Sequence, residues 1–319
     1  MLKIQQKEKN MKFYLAPLEG ITTYVYRNAY HKYFRPMDKY FTPFIVPHID
    51  KKFNTRELKE LSKEHNDGLY VVPQLLTNNA EDFQKTARDI IDLGYDELNL
   101  NLGCPSGTVV AKKKGSGFLA YPEELERFLD EIYSKAECKI SIKTRIGKSD
   151  PEEFHRLLEI YKKYPLEELI IHPRVQTDYY KNTPNWEMYR LAYEQGKEDL
   201  CYNGDIFTKE DYEAFMSAFP ETECIMLGRG IIRNPALVEV LEGNHSSKKE
   251  ALMGFHDMIY DEYQRISSGD RNVLFKMKEF WCYLGTGFEG TEKIMKKIKK
   301  TEKLRDYEVY VKAMFDTLE

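Results

Sequence analysis

The 319-residue sequence excludes several protein classes by what it lacks. No apolar run approaches the roughly 18 residues that cross a bilayer as a helix, so no helical membrane span is expected. Residues 1–10 are polar and lysine-rich without an apolar core, which argues against a secretory signal. They are expected to form a flexible extension, with Met11 as an alternative functional start. Cysteine is scarce: five residues, at 104, 138, 201, 224 and 282, an odd number with no C-x-x-C pair. That argues against a disulfide framework and against a zinc or other metal centre, and it fits a reducing cytoplasm. No G-x-G-x-x-G follows the first strand-like run, which disfavours an open doubly wound sheet. Basic residues are not in overall excess: 48 Lys and Arg stand against 52 Asp and Glu, for a net charge of −4. Affinity for a polyanion would need a local basic face.

What is present is a rhythm. Short β-rich runs recur at 13–16, 40–46, 69–76, 97–101, 139–143, 168–172, 200–203 and 224–227. Between them lie segments with helical periodicity. The segment 80–93 is opened by Asn78 or Asn79 as a cap and stopped by Gly94, and 122–135 carries Pro122 in its first turn. Strand followed by helix, eight times over, predicts an α/β (β/α)8 TIM barrel. The pattern changes near Gly243. From there only helical stretches occur, at about 248–267, 272–284, 290–300 and 306–318. The expected organisation is an extension over 1–10, a barrel over 11–242 and a small all-helical C-terminal domain over 243–319.

In such a barrel the carboxyl ends of all strands meet on one face, where barrel enzymes keep their chemistry. Here those ends carry Pro17, Leu18 and Glu19; Gln74; Asn101 and Cys104; Lys143 and Arg145; His172 and Arg174; Asn203, Gly204 and Asp205; Gly228 and Arg229. Each alone has an ordinary explanation, a helix cap for Gln74, a solvated charge for Lys143, a core histidine for His172. Seven polar ends converging on one face point to a site. The Asn-Gly-Asp and Gly-Arg-Gly ends bring backbone N–H groups together after the last two strands, a recurrent barrel phosphate position. Gln74, Lys143 and His172 offer an amide and cationic or donor groups to the polar edge of a flat cofactor ring. Ring and phosphate together point to flavin mononucleotide (FMN). Cys104 is either a small buried hydrophobe or a proton donor.

The runs Ala16-Pro-Leu-Glu-Gly20, Leu98-Asn-Leu-Asn-Leu-Gly-Cys-Pro105, Lys143-Thr-Arg145, His172-Pro-Arg174, Asn203-Gly-Asp205 and Gly228-Arg229 resemble, collinearly over residues 11–240, the tRNA-dihydrouridine synthases. The resemblance implies an FMN enzyme that uses NADPH to reduce the C5=C6 bond of particular uridines in tRNA. It implies that Pro17, Leu18 and Glu19 border the flavin. Gln74, Lys143 and His172 would contact its ring or ribityl chain. Asn203, Gly204, Asp205, Gly228 and Arg229 would hold its phosphate. Cys104 corresponds to the proton donor to C5, Asn101 to a uracil contact, with Arg145, Arg174, Tyr179 and Tyr180 nearby. The pattern departs at Tyr40-Phe-Thr-Pro-Phe44, where the family often has an acidic residue after the Thr, and at Val175, where a Thr is usual.

The loop 106–117 is expected to close over the site and bring the cysteine in. A uridine within folded RNA must be extruded to reach it, and basic side chains must hold the backbone. Between Arg271 and Arg305 ten basic residues outnumber four acidic ones. Lys293, Lys296 and Lys300 fall on one helical face, and with Lys297 they are the expected tRNA contacts. The expected partner is tRNA, with no membrane and no metal, and a monomer is favoured. The alternatives are a small-molecule flavin oxidoreductase of the dihydroorotate dehydrogenase type, and an RNA-binding protein that keeps the barrel without catalysis.

Overall fold

The strands form because apolar residues alternate with polar ones or run together where both faces are covered. In the computed structural model, which describes residues 11–48, 50–195, 199–244 and 249–318, they are β1 (Lys12–Leu15), β2 (Lys39–Phe41), β3 (Val71–Val72), β4 (Gln74–Leu75), β5 (Glu97–Leu102), β6 (Lys139–Gly147), β7 (Leu169–Val175), β8 (Leu200–Tyr202) and β9 (Cys224–Leu227). The expected extension over 1–10 lies outside the described residues. All pairings are parallel, in the order β3-β2-β1-β9-β8-β7-β6-β5-β4. The two ends of that order, β3 and β4, are one pass of chain broken only at Pro73. The sheet therefore returns on itself as a (β/α)8 barrel.

Pro73 has no N–H to give the ladder, which is why the pass splits there. Its carbonyl still accepts from the Asn99 N–H (2.9 Å), and the Gln74 N–H turns to Thr42 Oγ1 (3.1 Å). The eight expected passes are all present. The second stops at Phe41, short of 46, before Pro43, leaving Ile45 a single bridge to Leu75. The fifth and sixth run on to Gly147 and Val175.

Along β5 the period of two sends Leu98, Leu100 and Leu102 outward into the main core, under the helices. Glu97, Asn99 and Asn101 face the interior, where a smaller apolar cluster of Tyr14, Phe41, Val72, Ile170, Cys201, Cys224 and Met226 fills the lower barrel. Of the two expected caps, Asn79 is the one that accepts, from the Asp82 N–H, and further along the chain Thr208 forms a capping box with Asp211.

Among the described residues, four α-helices follow the barrel: Lys249–Ile266, Asp270–Leu284, Glu292–Lys300 and Leu304–Phe315. They share the barrel's core. Phe255 and Phe280 meet the Tyr26 ring edge-on at 5.3 and 6.3 Å. Gly254 lets the Tyr33 ring approach; a Cβ there would sit 2.4 Å from that ring. The Tyr307 hydroxyl ties Trp281 Nε1 (2.8 Å) to His256 Nε2 (2.7 Å) inside the bundle. This docking lays the helix Asp270–Leu284 beside the first strand-to-helix loop, where Lys276 Nζ donates to the Gly20 carbonyl (3.3 Å).

Candidate active site

The strand ends open into two adjoining cavities that share Pro17, Leu18, Lys143, His172 and Tyr180. The first is walled by Asn203, Gly204, Asp205, Gly228 and Arg229, the expected phosphate end. The second is walled by Glu19, Gln74, Asn101, Cys104 and Arg145. Residues scattered over more than two hundred positions of sequence are thus brought to one place. Arg174 and Tyr179 line neither cavity.

The first cavity is shaped by glycine. A Cβ on Gly204 would lie 1.9 Å from Tyr202 Oη, itself fixed by Trp186 Nε1 (3.0 Å). Only a bare backbone fits. The charges here are already engaged. Asp205 accepts from Arg229 Nη2 (2.6 Å) and from both terminal nitrogens of Arg174 (3.0 and 2.5 Å). Asp205 therefore aims the two arginines, with the Arg229 guanidinium 4.6 Å from the Tyr180 ring. Arg174 is only 1% exposed and also donates to the Asn182 carbonyl. Placed by sequence among the substrate contacts, it lies behind the wall, where it acts on His172 and Asp205.

The sequence alone allows His172 to be a cation or a neutral donor, and its surroundings choose. Arg174 Nη1 donates to His172 Nε2 (3.0 Å), so that nitrogen carries no proton and the ring proton sits on Nδ1. Burial and the nearby cations Arg145, Lys143, Arg174 and Arg229 hold its pKa well below the usual value, so it is neutral. Lys143 has no hydrogen-bond or ion-pair partner among the described residues. Burial first, and then Arg145, bring its pKa down to about 8.

Cys104 sits in the turn after β5. Burial raises its thiol pKa, against the pull of the Ser106 N–H, so at neutral pH it keeps its proton. The turn is held from several sides. Asn101 Oδ1 accepts the N–H groups of Gly103 (3.0 Å) and Cys104 (2.9 Å). Arg145 Nε donates to the Gly103 carbonyl (3.0 Å), while its other nitrogens take the carbonyls of Val175 and Tyr179 (both 2.8 Å). Tyr179 contributes that carbonyl; its side chain is 46% exposed, on a backbone with φ of 51°. The segment 106–117 folds as a short helix, Gly107–Val110, and enters a 3-10 turn, Gly115–Ala120. Fully buried Ser116 closes on the Cys104 carbonyl through its N–H (3.2 Å) and hydroxyl (2.7 Å).

Among the lining residues that sequence reasoning missed are Pro43 and Phe44 after β2, and Glu279 and Tyr283 on the helix Asp270–Leu284. No local pattern marks the last two; only the docking of that helix brings them in. Ile298 is the buried residue of the next helix, and Lys293, Lys296, Lys297 and Lys300 line a groove with Lys303 and Tyr310.

Comparison with known proteins agrees with this geometry. The solved structure of morphinone reductase in complex with tetrahydroNAD has a similar fold, with a TM-score of 0.51 and 14% identity, covering 76% of this chain and 90% of that one. At that identity the likeness establishes the class, a (β/α)8 barrel. The family model described as dihydrouridine synthase (Dus) matches residues 14–317, and the chain belongs to that family. Among its relatives, the probable tRNA-dihydrouridine synthase 2 of Bacillus subtilis is 28% identical over 317 residues, covering 96% of this chain and 94% of that protein. A probable tRNA-dihydrouridine synthase of Staphylococcus epidermidis is 27% identical over 319 residues, covering 96% and 93%.

Proposed function

We propose that the chain reduces the C5=C6 bond of specific uridines in tRNA, with FMN as bound cofactor and NADPH as transient reductant. The observation that carries this reading is the continuity of the two cavities. An end with a bare glycine backbone and an arginine runs directly into a floor of hydrogen-bond donors that stops at a protonated thiol. The residues fit FMN. Asn203, Gly204, Gly228 and Arg229, oriented by Asp205, would hold the phosphate. Gln74, Lys143 and neutral His172 would face the ring's polar edge, with Pro17, Leu18 and Glu19 along its border.

The hydride for C6 of the base is what the bound flavin, recharged by NADPH, supplies. The remaining work belongs to side chains. Cys104 donates its proton to C5, which its raised pKa allows at neutral pH. Lys143 and the Asn101 Nδ2–H group stabilise the negative charge that gathers on the uracil carbonyls. Tyr180 and Arg145 border the entering base. Lys293, Lys296, Lys297 and Lys300 hold the RNA backbone, and the cytoplasm is the expected place of work.

The test is single-turnover oxidation of the reduced flavin by tRNA. Cys104→Ala is expected to slow it by about 10²- to 10⁴-fold while reduction by NADPH continues. An unchanged rate removes Cys104 from the reaction. Dihydrouridine mapping of tRNA from cells lacking the protein identifies the position modified.

A further inference from the structure

Beneath the cavity floor a file of polar side chains runs the length of the barrel interior. At its lower end Lys39 Nζ pairs with Glu97 (2.8 Å). Ser141 Oγ donates to Glu97 Oε1 (3.3 Å) and to the Leu98 carbonyl (3.3 Å). Asn99 Nδ2 donates to Ser141 Oγ (2.9 Å), and Gln74 Nε2 donates to Asn99 Oδ1 (2.8 Å). Asn101 Nδ2 donates to Gln74 Oε1 (2.7 Å), and Asn101 Oδ1 accepts the N–H groups of Gly103 and Cys104. Asn99 and Ser141 are fully buried and line neither cavity.

The direction of this file is dictated from both ends. At the top, two backbone N–H groups need an acceptor, so Asn101 must turn its oxygen to them and its NH2 to Gln74. Gln74 must then present its oxygen upward and its NH2 to Asn99. At the bottom, the Glu97 carboxylate and the Leu98 carbonyl are acceptors only, so Ser141 gives them its proton and leaves a lone pair for the Asn99 NH2. Both ends demand the same polarity. No single amide can flip without setting donor against donor and leaving buried groups unpaired.

We propose that Asn99 and Ser141 are positioning residues: they carry the polarity of the buried Lys39–Glu97 pair up to Gln74 and Asn101, so that both amides offer N–H groups to the cavity. Each NH2 uses one hydrogen within the file and keeps one. With the Lys143 ammonium and His172 Nδ1–H, the floor then presents donors. It matches a flat ring edged with carbonyl oxygens and opposes one bearing an exocyclic amino group. This rests on the reading of the cavity as a site for a flavin and a uracil.

The test uses Asn99→Leu and Ser141→Ala, with Ser141→Thr as the conservative rescue and Ile170→Val as an interior control off the file. Two quantities are read: the FMN dissociation constant of the flavin-stripped chain, and hydrogen exchange of the Gln74 and Asn101 side-chain amides by NMR in the ligand-free chain. Asn99→Leu and Ser141→Ala are expected to weaken FMN binding by about fivefold or more and to speed amide exchange by about tenfold. Ser141→Thr and Ile170→Val are expected to stay within about twofold of wild type in both. The proposal is overturned if Asn99→Leu and Ser141→Ala leave amide exchange unchanged, or if Ile170→Val disturbs the amides equally. A wild-type chain that takes up no FMN would instead defeat the reading of the cavity, and the exchange rates would still decide the file.

Discussion

Two lysines stand at opposite mouths of the same barrel and meet opposite fates. Lys39, at the lower mouth, lies between Glu97 (2.8 Å) and Glu168 (3.0 Å), and the Tyr70 hydroxyl donates to Glu97 (3.0 Å). Those carboxylates raise its pKa against the cost of burial. Lys143, at the upper mouth, has no anionic partner among the described residues and lies near Arg145, and its pKa falls to about 8. The lower mouth spends its charges on one another and closes the barrel. The upper mouth keeps a cation uncommitted, so its charge is available to a ligand. A buried charge that is paired serves the fold, and one left unpaired marks a site.

The largest expected effects come from exchanging the roles. Lys39→Met leaves Glu97 and Glu168 buried together without their cation and should cost about 3–5 kcal/mol in denaturant unfolding. Lys143→Met removes a strained charge and should leave the unfolding midpoint unchanged or higher. It should slow reoxidation of the reduced flavin by tRNA about 10²- to 10³-fold. If both variants lose stability alike, the contrast between the mouths fails.

Next in size is Gly204→Ala. Its methyl would collide with Tyr202 Oη at 1.9 Å, so FMN affinity should fall by about tenfold or more, and the added carbon should cost about 1–3 kcal/mol of stability. A variant that binds FMN normally would show the upper mouth to be more pliant than its packing implies.

A pH profile sharpens the comparison further. Lys143 must be protonated to stabilise negative charge, so kcat/KM for tRNA should fall as pH rises through about 8. Lys143→Arg should carry that limb upward. The sign for stability is opposite. Between about 8 and the unfolded value of 10.5, the unfolded chain holds more protons at this residue than the folded one. Its contribution to unfolding free energy therefore rises with pH across that window and disappears in Lys143→Met.

The smallest expected change concerns the groove outside the barrel. Lys296→Glu with Lys300→Glu should weaken tRNA binding and flatten the slope of log affinity against log salt by about 1.5–2, with FMN affinity unmoved. A slope equal to wild type would make that helix face merely solvated.

Much of the upper mouth was legible in sequence because strand ends in a barrel are fixed by the period of the chain. Gln74, Asn101, Lys143, His172 and Arg229 could be placed from where apolar runs stop. Asn99 left a signal that went unread: it has the parity of Asn101 within β5, and a polar residue on that face must find a partner inside the barrel. Arg174 misled because β7 continues past Pro173 to Val175, which sends its guanidinium behind His172. Glu279 and Tyr283 were illegible, since helical periodicity says which face is apolar and nothing about which loop that helix will meet. The two-sided hold of Asp205 on Arg174 and Arg229 was equally hidden, because side-chain pairing across strands is decided by closure of the sheet.

The Ser116 latch has a mechanical consequence. It grips the carbonyl of Cys104 itself, and Asn78 Nδ2 holds the neighbouring carbonyls of Lys112 (3.3 Å) and Lys113 (3.2 Å) from the other side. The loop and the sulfur are therefore geared together. Loosening the loop at either hold would free the turn that carries the thiol as well.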